Sequence, residues 1–283
     1  MNVTAHPRAC IMGHPVAHSR SPMLHGYWLR TLGIAGSYEF ADVAPENFET
    51  FFRGLAANGF VGGNITIPHK EAAFRLVDRR ERAADAIGAV NTVWYEDGAL
   101  VGGNTDWRGV VESLDAIHPG WDASPGCAVV LGAGGSARAS VFAFLERKFS
   151  VAIVNRTVAR AEKMAAEFGP RVSAHGQDAL PRLLGNAEVL INNTSLGQAK
   201  FPPLEIDLGS LKKSAIVYDA VYVPLETALL KAAKRSGHRT VDGLSMLLYQ
   251  AVVGFSHWFG VTPKVTAEQR ALLEADIRQK SGE

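Results

Sequence analysis

Apolar residues in the first third of the chain recur with two different periods. One set follows the i, i+3, i+4 spacing of a helix face. It predicts a helix that is capped by Ser21 and has Pro22 in its first turn, and another that runs from Pro45 to Asn58-Gly59. Other segments are short apolar runs of strand length, at residues 9–12, 62–68, 90–95 and 99–101, the last two forming a hairpin. A short helix is expected over residues 69–77. The pattern predicts a mixed α/β region.

The pattern becomes more regular after residue 106. A helix is predicted over residues 107–118, and the turn signals Pro119-Gly120 and Ser124-Pro125-Gly126 follow it. Apolar runs then alternate with helical stretches, and the predicted strands are residues 128–131, 151–154, 189–191, 215–218 and 240–241. This alternation is typical of a doubly wound parallel sheet. Two further helices, residues 244–259 and 266–280, are predicted at the end.

Composition narrows the class of protein. A length of 283 residues favours two domains, and 47% hydrophobic against 20% charged residues argues against a disordered chain. A net charge of +1 argues against nucleic acid as the main partner. No apolar run approaches the roughly 18 residues of a membrane span, no secretory signal is recognisable, and two cysteines form no disulfide framework. We therefore expect a soluble, cytoplasmic protein.

A glycine-rich segment joins a predicted strand to a predicted helix. Residues 132–138 read G-A-G-G-S-A-R and contain the pattern G-x-G-x-x-A. In this context Gly132 allows a tight turn, Gly134 allows a pyrophosphate to approach the backbone, and Ala137 lets helix and strand pack closely. Phosphates would bind the free N–H groups at the helix N-terminus. A dinucleotide site is expected here in preference to a simple turn.

The next predicted strand indicates which dinucleotide binds. A site for NAD requires a carboxylate at the end of this strand, where it holds the ribose 2′-hydroxyl. The strand ends instead in Asn155, Arg156 and Thr157. The planar, permanently charged guanidinium of Arg156 suits a 2′-phosphate, and Thr157 adds a hydroxyl. The pattern favours NADP, with Arg138 and Arg160 as candidates for additional positive charge at the site. At another position in a chain, Arg156 would be interpreted as an exposed loop residue.

Several segments of the first third place small polar residues at predicted strand ends and helix starts. Ser19 and Ser21 flank a helix start, where two hydroxyls can hold a carboxylate. Asn64 and Thr66 share one face of a strand because they are two residues apart, and Lys70 follows a proline. Asn91, Asn104 and Asp106 add amides and a carboxylate. Taken singly, each of these residues is more often part of a turn or a helix cap than a ligand contact. Together they supply hydrogen-bond donors and acceptors for a polyhydroxylated acid, and Lys70 and Asp106 form a pair suited to proton transfer.

Other chemistries have little support. His14 and His18 have metal-like i, i+4 spacing, but Pro15 between them prevents a shared helix. The sequence contains no H-E-x-x-H, P-loop or G-x-S-x-G motif. No metal site is expected.

Taken as an ordered set, these motifs resemble the NADP-dependent shikimate 5-dehydrogenase family. The segments that carry the resemblance are H-S-R-S-P at 18–22, N-I-T-I-P-H-K at 64–70, G-A-V-N-T at 88–92, N-T-D at 104–106, the glycine-rich segment at 132–138, N-R-T at 155–157, N-N-T-S-L-G at 192–197, Y-D-A-V-Y at 218–222 and D-G-L-S-M-L-L-Y-Q-A at 242–251. They span nearly the whole chain. The resemblance implies NADPH-dependent reduction of 3-dehydroshikimate to shikimate, within aromatic amino acid and chorismate biosynthesis.

The resemblance also implies a domain organisation and residue roles. Residues 1–106, completed by residues 243–283, would form an α/β substrate-binding domain, and residues 107–242 a Rossmann-type NADP-binding domain. Lys70 and Asp106 would be catalytic. The substrate-binding residues would be Ser19, Ser21, Asn64, Thr66, Asn91, Asp106, Tyr222 and Gln250. The cofactor-binding residues would be Gly132, Ala133, Gly134, Gly135, Ser136, Ala137, Asn155, Arg156, Thr157, Thr194, Val221, Gly243 and Met246, with the last three near the nicotinamide.

The sequence departs from the family pattern at two positions. Trp107 replaces the usual glycine after N-T-D and is expected to reduce the space at the substrate end, and Asn193 replaces the commoner alanine. Two other functions are compatible with the motifs: a quinate or mixed quinate/shikimate dehydrogenase, and a non-catalytic ligand-sensing relative. The pairing of Lys70 with Asp106 argues against the sensor. The expected partner is a small-molecule substrate, and the protein is expected to be a monomer or a homodimer.

Overall fold

The computed structural model describes residues 6–281, which form helices and strands in mixed order. The chain folds as two compact units. The first comprises Met1–Thr105 and Gln250–Leu273, and the second Asp106–Tyr249 and Glu274–Glu283. The α/β class predicted from the sequence is confirmed. The chain passes from one unit to the other after Thr105 and again inside the last two helices.

A six-stranded mixed sheet organises the first unit. Its strands are β1 (Arg8–Gly13), β2 (Ser37–Asp42), β3 (Phe60–Ile65), β4 (Arg79–Arg80), β5 (Thr92–Glu96) and β6 (Ala99–Gly103). The spatial order is β2-β1-β3-β5-β6-β4. Strand β1 runs parallel to both neighbours, whereas β5 pairs antiparallel with β3 and β6. The predicted hairpin is therefore present and lies inside the sheet.

The helices of the first unit bury aromatic and aliphatic residues against this sheet. They are α1 (Ser21–Thr31), α2 (Phe48–Arg53), α3 (Lys70–Leu76) and α4 (Arg82–Ile87). Phe48 and Phe52 of α2 lie in the core with Cys10 and Met12 of β1. The segment Gln250–Leu273 contributes Trp258, whose Nε1 donates to the Val93 carbonyl at 2.8 Å.

The second unit is built on a six-stranded sheet with parallel pairing throughout. Its strands are β7 (Cys127–Leu131), β8 (Ser150–Val154), β9 (Val172–His175), β10 (Ala187–Asn192), β11 (Ile216–Asp219) and β12 (Arg239–Val241). The order β12-β11-β10-β7-β8-β9 reverses direction between β7 and β10. This is the predicted doubly wound parallel sheet, and ligands of such sheets bind outside the carboxyl ends of the strands at the reversal.

Helices cover the parallel strands of the second unit. They are α5 (Asp106–Ile117), α6 (Gly135–Glu146), α7 (Val158–Phe168), α8 (Leu180–Leu184) and α9 (Ala228–Arg235). Two longer helices follow, α10 (Gly243–Phe259) and α11 (Ala267–Ser281), and each contains residues of both units. Among residues 6–281, no helix combines the length and the apolar character that crossing a membrane requires.

Three details of the sequence-based prediction are wrong. The helix expected from Pro45 to Gly59 is shorter, because a 3-10 turn precedes α2 and the chain leaves the helix after Arg53. Ser21 is the first residue of α1 and not its cap; Arg20 occupies the cap position. Strands β2, β4 and β9 and helix α4 were not predicted at all.

Candidate active site

Asn64 is the centre of a buried hydrogen-bond network at the carboxyl end of β3. Its amide nitrogen donates to the Asn91 carbonyl at 3.2 Å and to Thr92 Oγ1 at 3.0 Å. A backbone carbonyl can only accept, so this contact fixes which end of the Asn64 amide carries the nitrogen. Asn64 Oδ1 accepts a hydrogen bond from the Tyr38 hydroxyl at 2.6 Å. Both amide protons are used within the protein, and the second lone pair of Oδ1 is the group that Asn64 can offer to a ligand.

The network continues from Asn91 to Gln250. Asn91 Oδ1 accepts from the Thr105 backbone N–H at 2.7 Å, and Asn91 Nδ2 donates to Thr105 Oγ1 at 3.1 Å. Thr105 Oγ1 in turn donates to Gln250 Oε1 at 3.2 Å. The structure thus joins Asn64, Asn91 and Gln250, three predicted substrate-binding residues from distant parts of the sequence. All three are buried.

Tyr38 is a member of this network that the sequence analysis missed. It lies on β2 and is buried, and burial raises the pKa of its hydroxyl well above the usual value. The phenol therefore remains a hydrogen-bond donor at neutral pH. Thr92 and Thr105 also received no role in the prediction, although both belong to motifs that carry the family resemblance. A polar residue between buried neighbours is the feature of the sequence that could have indicated their place in the network.

Ser19 and Ser21 lie together at the start of α1. Ser19 Oγ donates to Ser21 Oγ at 3.2 Å and accepts from the Ser21 backbone N–H at the same distance. Ser19 thus supplies the side-chain contact to the helix start that was expected from Ser21. Both serines belong to the first unit, as do Asn64 and Asn91.

Lys70 is held by its neighbours at the start of α3. The preceding residue, His69, is buried; its ring stacks on Phe48 with centroids 4.1 Å apart, and its Nε2 bonds to the Val43 carbonyl at 2.7 Å. Burial lowers the pKa of His69, so the ring is neutral near pH 7. The Val90 N–H donates to the Lys70 carbonyl at 3.1 Å, next to Asn91. These contacts fix the backbone from which the Lys70 side chain projects.

Thr66 occupies a half-buried position between Asn64 and Lys70. Its N–H donates to the Met12 carbonyl at 2.9 Å. A Cβ on Gly13 would come within 2.4 Å of Thr66 Cγ2, so the glycine leaves the space that the Thr66 side chain uses.

Asp106 begins α5 and is the first residue of the second unit. It is buried and directly follows Thr105. The neighbouring Trp107 makes an edge-to-face contact with Phe142 of α6, with centroids 5.3 Å apart, and the Arg108 guanidinium lies 5.0 Å from the Trp107 ring. Part of the indole is therefore used in packing α5 against α6. Its expected effect on the substrate end remains a prediction.

The glycine-rich segment has the backbone shape that a dinucleotide loop needs. Gly132 adopts a φ of +104°, which non-glycine residues rarely adopt. Space lies open above Gly134 and Gly135, where an added Cβ would meet no described atom within 4 Å. Helix α6 begins at Gly135, and Ala137 is buried against the sheet. Ala133 and Ser136 complete the turn, and Ser136 Oγ donates to Asn193 Oδ1 at 2.8 Å.

The residues after β8 are exposed or half-buried. Asn155 Nδ2 donates to the Thr157 carbonyl at 2.8 Å, which closes the turn before α7, and Thr157 is the cap residue of that helix. Arg156 is exposed, and its guanidinium forms no ion pair with any residue in the described range. Arg138 differs, because it forms an ion pair with Glu167 at 2.6 Å. Arg156 is therefore the better placed of these two arginines to meet an added anion.

The remaining predicted cofactor residues lie beyond β10 and β11. The backbone N–H and the hydroxyl of Thr194 both donate to Asn192 Oδ1, at 2.9 and 2.7 Å. Gly243 lies so close to the preceding loop that an added Cβ would be 2.2 Å from the Ala220 carbonyl oxygen and 2.7 Å from that of Val221. Met246 is buried in the core of the second unit, and Tyr222 is half-buried.

No metal-binding arrangement is present in residues 6–281, since no three His, Cys, Asp or Glu side chains are grouped as ligands. His14, whose spacing from His18 had suggested a ligand pair, bonds through Nδ1 to Asp42 at 2.6 Å.

Comparison with known proteins yields one family for both units. A family model described as the shikimate dehydrogenase substrate binding domain matches residues 11–93, and one described as shikimate / quinate 5-dehydrogenase matches residues 121–204. A shikimate dehydrogenase (NADP(+)) from Mesorhizobium japonicum is 57% identical over 98% of this chain and 99% of its own.

Solved structures lead to the same family. The shikimate 5-dehydrogenase from Thermus thermophilus, in complex with NADP(H) and shikimate, is 37% identical with a TM-score of 0.82 and covers 96% of this chain and 99% of its own. A quinate dehydrogenase from Corynebacterium glutamicum, in complex with NAD, is 28% identical with a TM-score of 0.87 and covers 95% and 99%. The identity over nearly the full length shows that this chain belongs to the shikimate dehydrogenase family.

Proposed function

We propose that this protein catalyses the reversible NADPH-dependent reduction of 3-dehydroshikimate to shikimate, a step toward chorismate and the aromatic amino acids. The observation that carries the proposal is the buried network around Asn64 and Asn91, because its interlocked amides and hydroxyls suit an acid that bears several hydroxyl groups. The 57% identity to a shikimate dehydrogenase that uses NADP supports the same substrate and cofactor.

The first unit is proposed to bind the substrate. Ser19 and Ser21 hold its carboxylate, and the hydroxyls are held by Asn64, Thr66, Asn91, Asp106, Tyr222 and Gln250. Since both amide protons of Asn64 are used internally, Asn64 acts as an acceptor for a substrate hydroxyl.

The second unit is proposed to bind NADP, and its residues fit this cofactor. The open space above Gly134 and Gly135 accommodates a pyrophosphate against the first turn of α6, where helix N–H groups favour an anion. The strand end that would carry a carboxylate in an NAD site carries the exposed Arg156, with Asn155 and Thr157 beside it. Thr194 is proposed to contact the cofactor as well, and Val221, Gly243 and Met246 are proposed to lie near its nicotinamide.

The reaction requires a proton as well as reducing equivalents. When bound, NADPH supplies the hydride that reduces the carbonyl carbon of the substrate. Lys70 donates a proton to the carbonyl oxygen as negative charge develops there, and it accepts that proton in the reverse direction. Asp106 orients the Lys70 ammonium and stabilises its charge.

The alternatives have weaker support. The quinate dehydrogenase that matches is 28% identical, and its structure contains NAD, whereas Arg156 suits the 2′-phosphate that NAD lacks. A ligand sensor would have no use for a paired lysine and aspartate.

The two cysteines are free, which supports a location in the reducing cytoplasm, and the protein is proposed to act there as a monomer or a homodimer.

The proposal is tested by a turnover assay on the full-length purified chain with shikimate and NADP⁺, following the appearance of NADPH. We expect saturable turnover with both substrates. Binding of shikimate and NADP⁺ by calorimetry without turnover would contradict the catalytic assignment and favour the sensor.

A further inference from the structure

Asp219 is a buried carboxylate that the proposed reaction does not use. It ends β11 and has no exposed surface. Within the described residues it forms no ion pair with a lysine or arginine, so its charge is balanced by neutral hydrogen-bond donors alone. Burial raises the pKa of Asp219 to about 6, against an ordinary value of 3.8. Keeping a carboxylate in such a place is unfavourable unless the site requires its acceptor capacity.

Three donors from three segments converge on this carboxylate. Oδ1 accepts from Asn192 Nδ2 at 2.8 Å and from the Val221 N–H at 3.1 Å, and Oδ2 accepts from the Thr227 hydroxyl at 2.6 Å. Asn192 ends β10, Val221 lies in the loop after β11, and Thr227 is the residue before α9. A site that receives three donors needs a group that only accepts, and an ionised carboxylate is such a group.

Two of these partners extend the connection. Asn192 Oδ1 holds both the N–H and the hydroxyl of Thr194, and Asn192 Nδ2 also donates to the Leu196 carbonyl at 3.2 Å. Thr227 Oγ1 accepts from the Leu230 N–H at 3.3 Å and so caps α9. Asp219 therefore connects the segment 192–197, which contains Thr194, to the segment 219–227, which contains Val221 and Tyr222. Both segments follow the carboxyl ends of neighbouring strands.

We propose that Asp219 is a positioning residue that holds these two segments in the arrangement that binds the nicotinamide end of NADP. The carboxylate does not contact the reacting atoms; it acts through Asn192, Val221 and Thr227. This role rests on the proposed function of the second unit as the NADP-binding unit.

The test compares Asp219→Asn with Tyr218→Phe in the full-length protein. Asparagine keeps the volume but presents an amide nitrogen to one of the three donors. Tyr218 is the adjacent buried residue, and its hydroxyl bonds only to Ser113 among the described residues, at 2.7 Å. Its loss removes a buried hydrogen bond without touching either segment. Thr227→Val, which removes one donor to Asp219, serves as a second variant if Asp219→Asn does not fold.

Two measurements are made on each protein: NADP⁺ affinity by calorimetry and amide hydrogen exchange along the chain. We expect Asp219→Asn to weaken NADP⁺ binding about tenfold and Thr227→Val about threefold, since each loses one or two hydrogen bonds of ordinary strength. Both variants should exchange faster in segments 192–197 and 219–227. Tyr218→Phe should lower Tm but keep wild-type affinity and wild-type exchange in those segments.

The outcomes separate the two proposals. Unchanged exchange in both segments, or unchanged NADP⁺ affinity in a variant whose segments do loosen, would overturn the role of Asp219. Failure of the wild-type protein to bind NADP⁺ would contradict the proposed function and, with it, this role, whatever the exchange shows.

Discussion

The two candidate binding regions are built in different ways. In the first unit the candidate site is made of side chains that bond to one another. Hydrogen bonds of 2.6–3.1 Å join Tyr38, Asn64, Thr92, Asn91 and Thr105. In the second unit the glycine-rich segment provides backbone shape and open space, and one exposed arginine stands at a strand end. The first arrangement suits a rigid ring with several hydroxyls, and the second a phosphate-bearing chain.

This difference determines what a substitution does. A side chain removed from the network leaves buried donors or acceptors without partners, so binding and local structure change together. A side chain removed from the exposed end of β8 leaves the fold intact and changes only what the ligand meets. Residues that touch the ligand without supporting the network are therefore the most informative positions for mutation.

The two regions also differ in their buried ionisable groups. His25 lies beneath the first network, stacked on Tyr38 with ring centroids 4.1 Å apart, and burial lowers its pKa to about 3. Asp219 in the second unit has its pKa raised to about 6. As the pH falls below about 6, the unfolded state binds a proton at His25 more readily than the folded state does, so His25 lowers the free energy of unfolding. Asp219 has the opposite effect, because its raised pKa lets the folded state bind a proton more readily than the unfolded state does.

The largest effect is expected at Lys70. Lys70→Ala should lower kcat by about 10²–10⁴-fold and change KM for shikimate little, because the residue is proposed to move a proton in the transition state. Steady-state kinetics checks this, with the exposed Arg75→Ala on the same helix as the control for loss of a positive charge. A Lys70→Ala protein with nearly wild-type kcat would remove Lys70 from the reaction.

The next effect separates the cofactors. Arg156→Ala should weaken NADP⁺ by roughly tenfold to a hundredfold, the worth of a charge-assisted hydrogen bond, and should leave NAD⁺ binding unchanged because NAD⁺ lacks the 2′-phosphate. Binding titrations with NADP⁺ and with NAD⁺ measure the change in affinity for each cofactor. Arg171→Ala, which removes an exposed charge just before β9, is the control. Equal weakening of both cofactors would mean that Arg156 has a structural role.

A smaller effect concerns stability and acid. The His25 ring nitrogens have no hydrogen-bond partner in the described part of the chain, so phenylalanine can replace the ring without losing one. Unfolded histidine binds a proton near pH 6.5 and folded His25 only near pH 3, so its contribution is complete above about pH 6.5 and is lost as the pH falls.

Between about pH 7 and pH 5 this loss should reach about 2 kcal/mol of unfolding free energy. His25→Phe should therefore lose about 2 kcal/mol less than the wild type over that interval, measured by urea denaturation at both pH values. The exposed His18→Gln should behave as the wild type. If the unfolding free energy of His25→Phe changed with pH as much as that of the wild type, His25 would bind a proton equally well in the folded and unfolded states, and the prediction would be wrong.

The sequence predicted the interiors of both sheets and missed their edges. The unpredicted strands β2, β4 and β9 all lie at sheet edges, and the fourth edge, β12, has the shortest apolar run of the predicted strands. An edge strand buries few residues: Phe40 on β2 is 50% exposed, and Val172 is the one buried residue of β9. Apolar periodicity is weak where burial is partial.

The same limit explains what was missed at the candidate site. Asn64, Asn91 and Gln250 belong to recognisable motifs, so the sequence identified each of them. Tyr38 lies on an edge strand that was not predicted, and its contact with Asn64 links residues 26 positions apart. Asp219 lay within a quoted motif, but its three partners come together only when β10, β11 and α9 are assembled.

Shikimate and quinate differ where Ser19 and Ser21 are proposed to bind. Quinate carries an additional hydroxyl on the tetrahedral carbon that bears the carboxylate, and a buried hydroxyl without a partner costs about 1–3 kcal/mol. In the structure the two serine hydroxyls are bonded to each other, and Ser21 is buried. The first unit should therefore discriminate between the acids, while Arg156 in the second discriminates between the cofactors.

The most direct test of this division is a steady-state comparison of shikimate and quinate, each with NADP⁺ and with NAD⁺. We predict that kcat/KM for shikimate exceeds that for quinate by at least roughly tenfold, equivalent to about 1.4 kcal/mol, and that NADP⁺ is preferred with either acid. Comparable efficiencies on the two acids, or a preference for NAD⁺, would contradict the assignment of substrate recognition to the first unit or of cofactor recognition to the second.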